Sequence, residues 1–499
     1  MTPSLPDNHT KTDPQKRADA NRQSSSWDIN NALENYSTLV VAQFIFALSS
    51  FGCVWLIARH LGSEQYGGIV AILAASQTLQ VLINWTSTAL VRFGIEEFVT
   101  TGLISKTFWG RLYIVAPNLV LVFGITVIWF TPISNWFKLP DSAWLLVIAN
   151  VVAGVFWLHL QYSFQSLKFP KIQAVLTATE RISLLILIST LLLAGSLSIE
   201  SVIICYTITP LVMCLVGAFL IRTRISRPVA FDLGTAKKIL TFSLPLVPYS
   251  VITYFFTSSL DAIFILHFLT KHDLAVYAIA AQIMGMMLHV LILANTLLLP
   301  MFVTMEANNE GERLENYFLN ILPLATIAWG AICLPAGFLG QAMLPYVFGN
   351  EFELIRVPFW LLVTAVSFGA PSYLGYAAMA TSRLLTHVSL YSSLCSAITN
   401  ILLNLLLIPK YGLVGCAWAT AAAHFVSVIT FALFLKMKTS IKVSWVPFAL
   451  LPTIVQLVVL SFSGSIVLAA ATWVCSSLLV LIIFRSSVRT GLRTLMNYL

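Results

Sequence analysis

Apolar residues run in long blocks along this chain, separated by short polar clusters, and the two-residue alternation of half-buried strands is absent. Blocks of membrane length fall near 38–58, 66–91, 112–133, 143–163, 172–194, 200–221, 242–269, 274–302, 317–342, 357–381, 384–408, 411–435, 445–463 and 464–484. A helix that crosses a bilayer takes about 20 apolar residues. The pattern therefore predicts an all-α polytopic membrane protein of about 14 transmembrane helices. The first 37 residues are polar and mixed in charge, with no apolar core or small-residue cleavage site, and read as a disordered cytoplasmic tail. A basic connection, Arg222 to Thr241, divides six runs from eight and reads as a linker between two lobes. Residues 92–110 alternate apolar and polar positions in helical fashion and are expected along the inner interface.

Charge orients the pattern. With the amino terminus inside, the inner segments carry 22 Lys and Arg and the outer loops five, which predicts both termini in the cytoplasm. Composition narrows the class: 58% of residues are hydrophobic and 10% charged, against about 25% charged in soluble domains. The net charge of +8 is spread in short runs between apolar blocks, so no nucleic acid partner is expected. All seven cysteines lie in apolar stretches without a Cys-x-x-Cys pair, which predicts neither a disulfide framework nor a thiolate metal site.

Enzyme chemistry has little to stand on. The chain carries no phosphate loop, no H-E-x-x-H, no G-x-S-x-G elbow and no paired-Asp magnesium motif, and no cofactor is expected. The outer loops are short, the longest running from Pro345 to Arg356. The expectation is a protein that is not an enzyme.

A charged side chain at bilayer depth costs at least about 2.5–3.5 kcal/mol on insertion scales, so each one there is a functional candidate. Arg181 lies about ten residues into the fifth run, roughly 15 Å deep at 1.5 Å per residue. Its planar fork of donors suits phosphate oxygens; the alternative is an internal ion pair, with Asp261 as partner. Asp261 in the seventh run suits a coupling cation or proton, or reaches the outer interface as a plain surface carboxylate. Glu180 and His159 are further ion-coupling candidates, although a lone histidine such as His159, His289 or His424 is more often a packing residue. Pro245, Pro248, Pro335 and Pro371 permit the bending that alternating access needs. An internal repeat is suggested by position: LGSEQYGGIVAI from Leu61 and LTKHDLAVYAIA from Leu269 each follow the first run of a lobe.

Three stretches carry a resemblance to a family: Ala58 to Ile72 (ARHLGSEQYGGIVAI), the opening of the seventh run (SLPLVPYSVITYFFTSSLDAIFI), and Leu402 to Val426 (LLNLLLIPKYGLVGCAWATAAAHFV). The sequence resembles the polysaccharide-biosynthesis oligosaccharide flippases, Wzx or RfbX-like proteins of the multidrug/oligosaccharidyl-lipid/polysaccharide exporter superfamily. It departs from them at Gly67-Gly68-Ile69, where a tyrosine often follows the glycine.

The resemblance implies two six-helix lobes around a central cavity, residues 38–221 and 242–435. Two added helices follow within 436–484, then a basic cytoplasmic tail, 485–499. It implies transfer of a polyprenyl-diphosphate-linked oligosaccharide from inner to outer leaflet of a prokaryotic plasma membrane, for O-antigen, capsule or exopolysaccharide. Glycosyltransferases and a polysaccharide polymerase are the expected neighbours in such a pathway. Arg181 is then expected to hold the diphosphate. Asn84, Asn150, Gln161, Asn295 and Asn400 are expected along the sugar path, each with a competing reading as helix-to-helix glue. A cation-coupled multidrug exporter is the nearest rival, with Asp261 as its coupling residue. A polytopic glycosyltransferase or polymerase is disfavoured by the short, acid-poor loops.

Overall fold

The computed structural model describes residues 14–225, 230–244, 247, 258–307, 311–381, 386–438, 446–463 and 465–498. Pro245, Pro248 and most of the opening of the seventh run lie outside the described residues, as do the side chains of residues 14–37 and of Asn295. Every regular element among the described residues is a helix. Nine of these helices are long and apolar enough to cross a membrane, and a bent pair near the carboxyl end makes up to ten. The fold class is the predicted one, all-α and polytopic. The helical form follows from the solvent: hydrocarbon offers no partner to a backbone amide, so each span must satisfy its own. Hydroxyls in the spans turn back on their own helices, as Ser76 and Thr126 do on the carbonyls of Ile72 and Val122.

The first group of helices holds α1 (Pro14–Asn84), α2 (Ser87–Thr101), α3 (Ser105–Ile128), α4 (Phe130–Phe137), α5 (Ala143–Ser166), α6 (Pro170–Leu193) and α7 (Ile199–Ile221). Helix α1 begins inside the stretch read as a polar tail. Its apolar part, Thr38–Asn84, is 47 residues long, about 70 Å at 1.5 Å per residue and twice a bilayer core. Gly62, at φ 78°, divides it, and residues of both halves line one cavity, so the chain doubles back there. Only a residue without Cβ adopts this conformation readily.

Helix α8 (Leu233–Ser243) begins at an Asp232 cap and packs on α2 and α3. The second group follows: α9 (Ser258–Phe268), α10 (Lys271–Ala307), α11 (Gly311–Asn316), α12 (Leu322–Phe348), α13 (Arg356–Thr381) and α14 (Thr386–Lys438). A π-helical turn, Tyr317–Ile321, precedes α12, and a 3-10 turn, Asn350–Ile355, follows it. Helix α14 breaks at Gly412, φ 58°, as α1 does at Gly62. Gly415 then packs so closely that a Cβ would overlap the Leu407 carbonyl. Three short helices and a tail helix complete the chain: α15 (Val446–Ala449), α16 (Leu451–Ser463), α17 (Ile466–Ile483) and α18 (Arg485–Tyr498), the last bent 85° from α17. The described residues of α16 and α17 pack mainly on each other.

The two groups meet through α1 against α9 and α10, and through α4 against α9. Hydrogen bonds that join them cluster on the face bearing Gly62, here termed the elbow face. The face bearing α8 is termed the linker face.

Candidate functional site

A cavity of about 790 Å³ lies between the groups, lined by both halves of α1 and by α5, α6, α7, α9 and α10. Its wall mixes aromatic rings with amides: Gln43, Gln77, Gln80, Gln161 and Gln282 all contribute, with Asn150 beside them. Glu180 and Arg181 are the acidic and basic side chains of that lining, and His289 sits on α10.

Arg181 is built into this wall by α6. Its guanidinium lies over the rings of Phe46 and Tyr206, at 5.1 and 5.9 Å from their centroids, which holds a planar cation without consuming its N–H donors. Nη2 stands 3.8 Å from Glu180 Oε1, too long for a hydrogen bond. Glu180 Oε2 accepts from Trp157 Nε1 at 3.2 Å. The Arg181 Nε, a buried donor, has no hydrogen-bond partner, while the side chain keeps 26% of its surface exposed. The arginine therefore reaches the cavity with donors unspent, and its ionic neighbour is Glu180 and not Asp261.

The candidate residues fall into three places. Asn150, Gln161, Glu180 and Arg181 share the cavity lining. Asn150 also braces α7, its Nδ2 donating to the Tyr206 carbonyl at 3.3 Å. Asn84 and His159 belong to a second, closed cluster around Arg111. Asp261 and Asn400 belong to a third.

The Arg111 cluster is invisible in the pattern of runs, which starts the third run one residue later. Helix α3 begins earlier, at Ser105, because Glu97 of α2 caps it by accepting from the backbone N–H groups of Lys106 and Thr107 at 2.8 Å each. This carries Arg111 inward, where it is 0% exposed. It donates to Thr86 Oγ1, Ser87 Oγ and Asn84 Oδ1 at 3.3, 2.9 and 2.8 Å, and contacts His159 Nδ1. These acceptors come from the break between α1 and α2 and from α5. The signal was present as scattered polar residues in apolar runs, Asn84 and His159, with no means of pairing them in one dimension.

The third cluster lies in the second group. Asp261 of α9 is 5% exposed. Its Oδ2 accepts from the Tyr277 hydroxyl at 2.6 Å and Thr420 Oγ1 at 3.0 Å, and its Oδ1 from Asn404 Nδ2 at 2.9 Å. Asn400 joins through Asn404 Nδ2, 3.1 Å from its Oδ1. The carboxylate is fully enclosed and held by neutral donors, which answers the alternative of a surface carboxylate.

On the elbow face Glu351 Oε2 accepts from the Ser63 amide and hydroxyl, both at 2.9 Å, and His272 Nδ1 lies 2.7 Å from the same hydroxyl. The Ser63 N–H, then its hydroxyl, hold the Glu351 carboxyl below its usual range. Lys138 Nζ donates to the Leu269 carbonyl at 2.7 Å. A Cβ at Gly67 would overlap the Lys271 carbonyl. The two stretches aligned as a repeat thus meet in space, Ser63 and Gly67 against Lys271 and His272.

Two groups of long apolar helices closing on an amide-lined cavity define a class: polytopic all-α membrane proteins with a central cavity. Residues 32–306, more than half of the sequence, match the polysaccharide biosynthesis protein family, and the chain belongs to that family. It is 23% identical over 420 residues to the probable low-salt glycan biosynthesis flippase Agl15 of Haloferax volcanii, covering 81% of this chain and 83% of that one. Its fold is similar to that of lipid II flippase MurJ in an inward closed conformation, with TM-score 0.67 and 14% identity over 90% of this chain and 99% of the other. An inward-facing multidrug resistance transporter of the MATE family, MOP superfamily, gives TM-score 0.52 at 14% identity, covering 81% and 97%.

Proposed function

We propose that the protein flips a polyprenyl-diphosphate-linked oligosaccharide from the inner to the outer leaflet of a prokaryotic plasma membrane, supplying a surface polysaccharide such as O-antigen, capsule or exopolysaccharide. The observation that carries this reading is Arg181, a cation with an unspent donor in the wall of a cavity lined by amides, rings and apolar side chains, with Glu180 as the acidic member of that lining. The family match and the glycan flippase Agl15 support it. A diphosphate supplies the missing acceptors, the amides meet sugar hydroxyls as both donor and acceptor, and the polyprenyl tail stays in lipid.

The linker face is then cytoplasmic, in keeping with its basic residues, and the elbow face is the outer gate, held shut here by Ser63, Glu351 and His272. Residues 38–221 and 242–435 rock as two bodies about the Arg222 to Thr241 connection. Asp261 takes the coupling cation or proton. No covalent bond is made or broken; glycosyltransferases supply the cargo and a polymerase consumes it.

The test is a deletion strain. Lipid-linked repeat units should accumulate in the inner leaflet and surface polysaccharide should disappear, both restored by the wild-type gene. Normal polymer together with altered drug sensitivity would overturn the reading in favour of a multidrug exporter.

A further inference from the structure

Asp261 and the cavity are separated by the thickness of one side chain. On α9, Ala262 lines the cavity while its neighbour Asp261 turns away into the second group. On α10, Tyr277 lines the cavity, and its hydroxyl donates to Asp261 Oδ2 at 2.6 Å and lies 3.2 Å from Thr420 Oγ1. The remaining groups around the carboxylate come from α14: Asn400, Asn404, Cys416 and Thr420. None is charged, so the carboxylate has no counter-ion among them. Asn404 Oδ1, buried in the same cluster, is an acceptor with no hydrogen-bond partner. An anionic oxygen without a counter-ion beside an unspent amide oxygen is a site for a small monovalent cation, a proton or Na⁺.

We propose that Tyr277 is the positioning residue through which cation occupancy at Asp261 and substrate occupancy of the cavity act on each other. A cation at Asp261 takes lone pairs that now accept from the tyrosine hydroxyl. The hydroxyl must then turn or withdraw, and the ring it is attached to is cavity wall. Conversely, a substrate pressing on that ring sets whether the hydroxyl can reach Asp261. The same helix carries Gln282 and His289 on the cavity and begins at Lys271 and His272, which touch the elbow of α1. Linkage makes the effect reciprocal: whatever factor the cation changes substrate affinity by, the substrate changes cation affinity by the same factor.

The proposal rests on the flippase reading, and the experiment separates the two. Undecaprenyl diphosphate binding to the full chain in lipid nanodiscs is measured in NaCl against choline chloride, and at acidic against neutral pH. The NaCl arm and the pH arm distinguish Na⁺ from the proton. Wild type is expected to show an affinity ratio of at least about fivefold in one arm. Tyr277→Phe keeps the ring and is expected to bring that ratio to about one, whatever its absolute affinity. Its unfolding temperature should still respond to the cation, a response that Asp261→Asn loses.

Ser392→Ala removes a buried hydroxyl of the same helix α14 away from Asp261, where it donates to the Ser427 carbonyl, and is expected to keep the ratio. A ratio unchanged in Tyr277→Phe, lost equally in Ser392→Ala, or near one in wild type overturns the proposal. Failure of wild type to bind undecaprenyl diphosphate under any condition overturns the flippase reading as well. If Tyr277→Phe does not fold, replacing Tyr277 by 3,5-difluorotyrosine preserves shape and makes the hydroxyl a stronger acid. The ratio should then shift, and an unchanged ratio overturns the proposal.

Discussion

Arg181 and Arg111 both project from apolar helices, and their surroundings assign them different work. Arg181 faces a cavity with a donor unspent, whereas Arg111 is sealed against four side-chain partners, Asn84, Thr86, Ser87 and His159. Arg181→Ala should therefore abolish polymer export at normal protein level, with Arg181→Lys retaining part of it, because an ammonium keeps the charge and loses the fork. Export assayed in a complemented deletion strain checks this. Arg111→Leu should act on stability first. It strands Asn84 Oδ1, the Thr86 hydroxyl and His159 Nδ1, at about 1–3 kcal/mol for each buried group left unpaired, and the unfolding temperature of the purified protein should fall. Full export by folded Arg111→Leu protein, at reduced abundance, is the expected pattern; loss of export at unchanged stability would give Arg111 a part in transport. The sequence made Arg181 conspicuous because it is the one cation within a run of hydrocarbon, with Glu180 beside it. Arg111 was not conspicuous, since it sits at a run boundary where positive charge is commonplace, and only the capping of α3 by Glu97 pulls it inside.

At the scale of elements, the elbows decide how the groups touch. Runs of apolar residues are legible because membrane solvent demands them, and the long helices fall where the runs do. The junctions were less legible: nothing in the spacing says that Gly67 leaves room for the Lys271 carbonyl, or that the short loop after α12 carries the carboxylate that grips Ser63. Gly67→Ala should prevent the close approach of α1 to α10 and open the elbow face, measured as increased labelling of cysteines introduced beside it.

The Glu351 latch has a pH sign. Its carboxyl is held below the ordinary 4.5 by Ser63, so its contribution is present in full above that value and is lost as pH falls through the lowered one. Acidification of the elbow side below about 4.5 should increase labelling in wild type. Glu351→Gln should be labelled more at neutral pH and lack that acid step; a step of the same size in Glu351→Gln would detach it from this carboxylate.

For the molecule as a whole, the proposed transport requires the bonds on the elbow face to break and the linker face to close. A short bifunctional thiol crosslinker between cysteines placed at Ser63 and Glu351, in a background lacking the seven native cysteines, should arrest export. A reducible version of the same linker should restore it on reduction. Continued export with the crosslink in place would show that the groups do not separate at this face.

The glutamines of the cavity have a consequence for how such a protein changes over generations. A primary amide turned end for end offers a donor where it had offered an acceptor, so a wall of them does not insist on one stereochemistry of hydroxyl groups. On the proposed function, a cell that acquires a new sugar-joining enzyme would keep the same carrier with these glutamines unchanged while the polymer outside the cell diversified.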